Sequence, residues 1–149
     1  MANFNKYNIC WVLVDELALG PAPNSINFIE TLKKNNIKNI LTLCDKKEFN
    51  YALYDDYFKK QSYFIPDHRS SDKITLLEMN RILEILEEQI SDAPTYVHCL
   101  YSIERSPLIC LAYLIKYRKY PFQIALDYLM SIHPKTNPLD QQIELLHKI

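Results

Sequence analysis

The sequence predicts an α/β domain with a central, mostly parallel sheet of about four or five strands flanked by helices on both faces, spanning residues 1–149 as one domain. Two observations predict it. Short apolar runs rich in β-branched and aromatic residues alternate with longer stretches whose apolar residues recur at helical spacing. A histidine-cysteine pair also closes one of those runs immediately before an apolar helix, where ligands bind in such sheets.

Residues 9–14 (ICWVLV) read as a buried strand, and DELALG continues as a second strand before the break at Pro21 and Pro23. From Ser25, the residues Phe28, Ile29 and Leu32 share one face of a helix that ends at Asn35-Asn36. IKNILTLC is the next strand. KKEFNYALYDDYFKK has no clean period and reads as a loop with a short helix, followed by a strand at SYFIP closed by Pro66. Ser71/Asp72 can cap the following helix, or Thr75 with Glu78 can form a capping box one turn later. Leu76, Met79, Leu83, Leu86 and Ile90 give that helix one buried stripe.

TYVHC reads as a strand, and SPLICLAYLIKYR as an apolar helix with Pro107 in its first turn, where a missing N–H costs least. PFQIALDYLMSI and LDQQIELLHKI supply two more helices. The chain has a single glycine, Gly20, so left-handed turns fall to asparagine, for which Asn35, Asn36 and Asn137 are candidates.

Seventeen Lys and Arg against eighteen Asp and Glu give a net charge of -1, which removes the electrostatic case for a nucleic-acid or anionic-membrane partner. The four cysteines are widely spaced with no CxxC pair, and MANFNKYN is not a signal-peptide start, so free thiols and a cytoplasmic setting are expected. No stretch approaches the roughly 18 apolar residues of a membrane span.

The chemistry concentrates in VHCLYSIERSP, residues 97–107. A thiolate is stabilised at a helix N-terminus, ringed by backbone N–H groups and beside an arginine. Cys99 has that placing. The five residues Leu100, Tyr101, Ser102, Ile103 and Glu104 are the length a loop needs to wrap one phosphate and return Arg105 to the same anion. Arginine's fork then grips two oxygens. Ser106 can hydrogen-bond the thiolate and assist its departure, and His98 orders the loop. Asp67, beyond SYFIP, is the candidate acid, with a pKa expected to rise beside a bound phosphate; Asp72 is the alternative, and His68 orders the same loop. Asn137 and Gln141 are candidates to position water. No cofactor and no metal is required.

HCLYSIERS resembles the H-C-x5-R-[S/T] loop of the dual-specificity protein tyrosine phosphatases, and IPDH resembles their acid loop, with some likeness to the phosphatase and tensin homologue. LTLCDKKEF and the two helices after the loop extend the likeness over about residues 8 to 145. The resemblance implies a phosphomonoester hydrolase that forms a phosphocysteine at Cys99 and acts on phosphorylated protein or peptide as a monomer. It also implies that Cys44 can pair with Cys99 in a protective disulfide. The rival readings are an inactive phosphate-binding module, or a phosphatase acting on RNA 5′-phosphates or phosphoinositides.

Ser102 and Glu104 stand where the family usually has glycine. The cell-division-cycle phosphatases carry serine and glutamate at these places and are the second resemblance. Ser102 is accordingly expected at positive φ, at a cost on the order of 1 kcal/mol, with Glu104 turned outward, away from the phosphate.

Overall fold

The computed structural model describes residues 4–50, 54 and 56–149. Five strands form one sheet: β1 (Cys10–Leu13), β2 (Leu17–Gly20), β3 (Asn39–Thr42), β4 (Lys59–Ser62) and β5 (Thr95–His98), in the order β1-β2-β5-β3-β4. The β1–β2 pair is antiparallel and the other three pairings are parallel. The helices are α1 (Ile26–Lys34), α2 (Leu76–Asp92), α3 (Arg105–Arg118), α4 (Phe122–Ile132) and α5 (Asp140–Leu146).

The pleat sorts the core into two layers. Val12, Leu17, Leu19, Leu41 and Val97 point to the side packed by α2, α3, α4 and α5. Trp11, Ala18, Ile40 and Tyr96 point to the opposite side, where Phe28, Ile29 and Leu32 of α1 cover them. The 17-residue α2 starts at Thr75, not at Ser71 or Asp72: the Glu78 N–H donates to Thr75 Oγ1 at 3.1 Å, and the Thr75 N–H donates to the Glu78 carboxylate at 3.3 Å. Both otherwise orphaned donors are thereby satisfied.

β5 lies at the centre of the sheet, between β2 and β3, and its residues are buried. Its carboxyl end is therefore flanked by two parallel neighbours that end level with it, His98 pairing in register with Gly20 and Thr42. α3 begins seven residues beyond β5, and its first ten residues are all buried. This is the crevice in which an open parallel sheet presents a ligand site.

Three expectations need correction. The strand expected over SYFIP lies upstream, at the exposed KKQS of β4. An edge strand is defined by its ladder and needs no apolar side chain, whereas the buried Ile65 that suggested a strand joins the sheet only through irregular bonds, its N–H donating to the Leu43 carbonyl at 3.0 Å. Among the described residues of 46–60 there is no helix; Tyr51, Ala52, Leu53 and Asp55 lie outside them. Positive φ occurs at Asn36, as expected, but not at Asn35, whose φ is -98, nor at Asn137; Asn8, Asp15, Ser102 and Lys119 take the other such turns.

Gly20 is needed for space. The Tyr96 hydroxyl leans along the sheet to donate to the Pro21 carbonyl, and a Cβ at Gly20 would meet that hydroxyl at 2.4 Å. Gly20→Ala is expected to lower unfolding free energy by about 1–3 kcal/mol in urea titration, the usual range for overpacking. An unchanged midpoint would show that Tyr96 gives way freely.

Candidate active site

The loop between β5 and α3 is held from outside at five of its carbonyls. His98 Nδ1 meets the Cys99 carbonyl at 2.8 Å, the Ala22 N–H donates to the Leu100 carbonyl at 3.0 Å, and His133 Nε2 meets the Ser102 carbonyl at 2.6 Å. The Asn137 N–H donates to the Ile103 carbonyl at 2.8 Å and the Leu108 N–H to that of Glu104 at 2.9 Å. A carbonyl that points away from the loop turns peptide N–H groups toward its middle. Among the described residues none accepts from the N–H groups of Leu100 to Arg105. That geometry is a nest for an anion. Ser102 closes the turn at φ 60, as expected for a residue replacing glycine.

His98 is fully buried. Its Nδ1 carries the hydrogen, because a carbonyl only accepts, and burial pushes the ring down to about 4. The bare Nε2 therefore receives hydroxyls, from Thr42 at 2.8 Å and from Tyr54. The ring stacks on Tyr96 at 5.8 Å.

A cavity of about 360 Å³ opens over the loop. Cys99, 2% exposed, lines it together with Arg105, while Tyr101 and Ile103 stand exposed on its rim with Leu100. The Cys99 Sγ is 3.3 Å from Ser106 Oγ. Across the cavity stand Asp67, His68 and Arg69. Asp72 is not among the lining residues; it borders a small neighbouring hollow with Gln141.

The sequence reading missed two partners. Glu48 grips Arg105 with both oxygens, at 3.0 Å from Nη1 and 2.8 Å from Nη2. Nη1 also donates to the Ile65 carbonyl at 3.1 Å. Of the five guanidinium hydrogens, those on Nε and one on Nη2 have no acceptor among the described residues, which leaves one edge of the fork for an anion. Burial pushes the Glu48 carboxyl up, but Arg105 and the Asp45 N–H outweigh it and hold it below the ordinary glutamate value. Nothing in KKEF distinguished this glutamate from a solvated one; its only signal was its place just beyond the carboxyl end of β3.

Arg69 is the second. Its backbone N–H reaches Asp67 Oδ1 at 3.0 Å and its Nε reaches Oδ2 at 2.8 Å. Those bonds hold the Asp67 carboxyl below its ordinary value in the ligand-free site; the rise expected beside a bound phosphate belongs to the complex. The expected push requires a nearby anion, and here the nearest partner is a cation.

Glu104 does not turn outward. Its side chain is 11% exposed beside His68, with Oε2 3.8 Å from Nδ1, and it lines the cavity with Oε1 buried and unpartnered among the described residues. Burial raises its pKa. The turn that faces N–H groups inward leaves this side chain over the cavity mouth. Cys44 is buried, with burial pushing its thiol to about 12. Cys110 is core, its thiol raised well above the usual value by burial.

Residues 17–149 match the family model described as dual specificity phosphatase, catalytic domain. The chain belongs to the dual specificity phosphatase family. It is 26% identical over 128 residues to MAP kinase phosphatase with leucine-rich repeats protein 2 of Dictyostelium discoideum, covering 85% of this chain and 17% of that protein. The domain thus spans less than a fifth of that relative's length. Among solved structures it resembles Tk-PTP in its active form (TM-score 0.78, 17% identity, 93% of this chain and 97% of that one). It also resembles the human tyrosine phosphatase-like serine/threonine/tyrosine-interacting protein (TM-score 0.75, 18% identity, 89% of each chain). At these identities the structures establish the dual specificity phosphatase fold.

Glu48 is the stability test of the phosphatase loop. A depressed carboxyl stabilises the fold above the ordinary glutamate range, and the contribution is lost as pH falls through the folded value. Glu48→Ala leaves Arg105 buried and uncompensated, so unfolding free energy at neutral pH is expected to fall by about 3 kcal/mol in urea titration. No loss would mean that Arg105 is held without it.

Proposed function

We propose that this domain is a cysteine-dependent phosphatase that hydrolyses phosphomonoesters of phosphotyrosine, phosphoserine or phosphothreonine in proteins. The observation that carries the reading is the Cys99 sulfur in the floor of an anion nest, beside Arg105 and 3.3 Å from the Ser106 hydroxyl.

In the first step the Cys99 thiolate attacks phosphorus and the bond to the leaving oxygen breaks. Inward N–H groups and the free edge of Arg105 balance charge on the three equatorial oxygens. Asp67, protonated when substrate is bound, gives its proton to the leaving oxygen. In the second step Asp67 takes a proton from water, the water oxygen bonds to phosphorus, and the phosphorus–sulfur bond breaks with the Ser106 hydroxyl donating to the departing thiolate. His98 and His68 order the two loops.

A phosphoprotein substrate is supported by the family and by the absence of lysine from residues 99–105. The exposed Tyr101 and Ile103 offer apolar surface to a peptide. The net charge of -1 gives nucleic acid no attraction, and among the described residues no helix is long and apolar enough to cross a membrane. We place the domain in a reducing compartment such as the cytoplasm, acting as a monomer. Cys44 is proposed as a partner for Cys99 under oxidation.

Hydrolysis of a small aryl phosphate, blocked by vanadate and abolished by Cys99→Ser, is the expected result. Phosphopeptide binding without phosphate release at any pH between 5 and 8 would instead identify a binding module. Arg69 sets the pH profile. An acid held ionised is protonated only at lower pH, so Arg69→Ala should raise the Asp67 pKa and move the falling limb of kcat for an alkyl phosphate to higher pH. An unmoved limb would take the acid role away from Asp67.

A further inference from the structure

Ser102 does more than replace a glycine. Its Oγ is 3.2 Å from Ser106 Oγ, which is 3.3 Å from Cys99 Sγ, and on its other side His133 Nε2 is 2.6 Å from the Ser102 carbonyl and 3.3 Å from the Ser102 hydroxyl. All four residues are at least 95% buried. The direction of the chain follows from one fact. A carbonyl oxygen only accepts, so the hydrogen of the neutral His133 ring is on Nε2. Nε2 then cannot accept from the Ser102 hydroxyl, whose hydrogen is left for Ser106, and the Ser106 hydrogen is left for sulfur.

His133 is itself fixed for this task. Its N–H donates to the Leu129 carbonyl at 2.7 Å at the end of α4, and its own carbonyl accepts from the Thr136 hydroxyl at 2.7 Å and from the Thr136 N–H at 3.0 Å. Burial lowers its pKa and favours the neutral ring that fixes the hydrogen.

We propose that Ser102 and His133 are positioning residues that orient the hydrogens of a buried chain, His133 to Ser102 to Ser106, toward the Cys99 sulfur and so favour its thiolate. The His133 Nε2 hydrogen is committed to the Ser102 carbonyl, so the Ser102 hydroxyl donates to Ser106, and these two hydroxyls, aimed the same way, polarise one another and deliver that polarisation to the anion. The glycine usual at this place cannot supply the middle hydroxyl, so the strained serine adds a link. The proposal rests on Cys99 being the reactive thiol.

Around Cys99 the titratable groups are Arg105, which is charged, and Cys44, Tyr96 and Cys110, which burial holds neutral; Lys135 is the charged group near His133, and none of these is altered in the variants below.

The test is alkylation of Cys99 by iodoacetamide, followed across pH by peptide mass spectrometry in the full chain. Ser102→Gly, Ser102→Ala and His133→Leu are expected to move the midpoint up by about half to one pH unit, a roughly three- to tenfold slower reaction on the acid side. His133→Gln, whose amide N–H can take over the donor role, should stay near the wild-type curve. Wild-type curves for both Ser102 variants would overturn the proposal. Ser102→Gly also removes the strained φ, so the test stands even where a His133 variant fails to fold. Because a thiol is titrated without turnover, failure to hydrolyse phosphate would count against the phosphatase reading alone.

Discussion

The site depends on one constraint, which is that the carbonyls of Cys99, Leu100, Ser102, Ile103 and Glu104, in the short loop after the central strand, are held from outside so that its N–H groups face one point. Loops in this position commonly use glycine for the necessary turn. Here one serine takes φ 60, and fixed donors from the end of β5, the segment after β2, the turn after α4, the approach to α5 and the first turn of α3 secure the rest. Each of those elements is placed by its own packing. The rigidity of the nest is therefore a property of the whole fold.

Charge is arranged around that nest in pairs. Glu48 neutralises the buried guanidinium of Arg105 and fixes its plane, so an incoming anion meets an oriented edge and not a mobile side chain. Asp67 rests against Arg69 at the other wall, and Glu104 lines the cavity with one buried carboxylate oxygen that has no partner among the described residues. Two carboxyls of one cavity are thus displaced in opposite directions, Asp67 downward by a cation and Glu104 upward by burial.

Much of this was legible in the sequence, for physical reasons. The stripe from Leu76 to Leu86 follows the period that burial imposes, ICWVLV stands out as an unbroken apolar run, and the span from Cys99 to Arg105 has the length of a loop that wraps one anion. The edge strand KKQS was illegible because its pairing involves backbone alone. Glu48 was illegible because an ion pair across 57 positions leaves no period, Arg69 because a cation two residues from a carboxylate is commonplace in a loop, and His133 because its ring reaches Ser102 across 31 positions. The expectation for Glu104 failed because it considered charge on the loop and not the path of the backbone, which carries residue 104 over the cavity.

The central claim is that the sulfur of Cys99 bonds to phosphorus during turnover. Acid quench within milliseconds of mixing with an aryl phosphate, followed by peptide mass spectrometry, tests it most directly. The account predicts one phosphoryl group on the peptide containing Cys99, lost on longer incubation and absent in Cys99→Ser. Steady release of phosphate with that peptide unmodified at every quench time would contradict it.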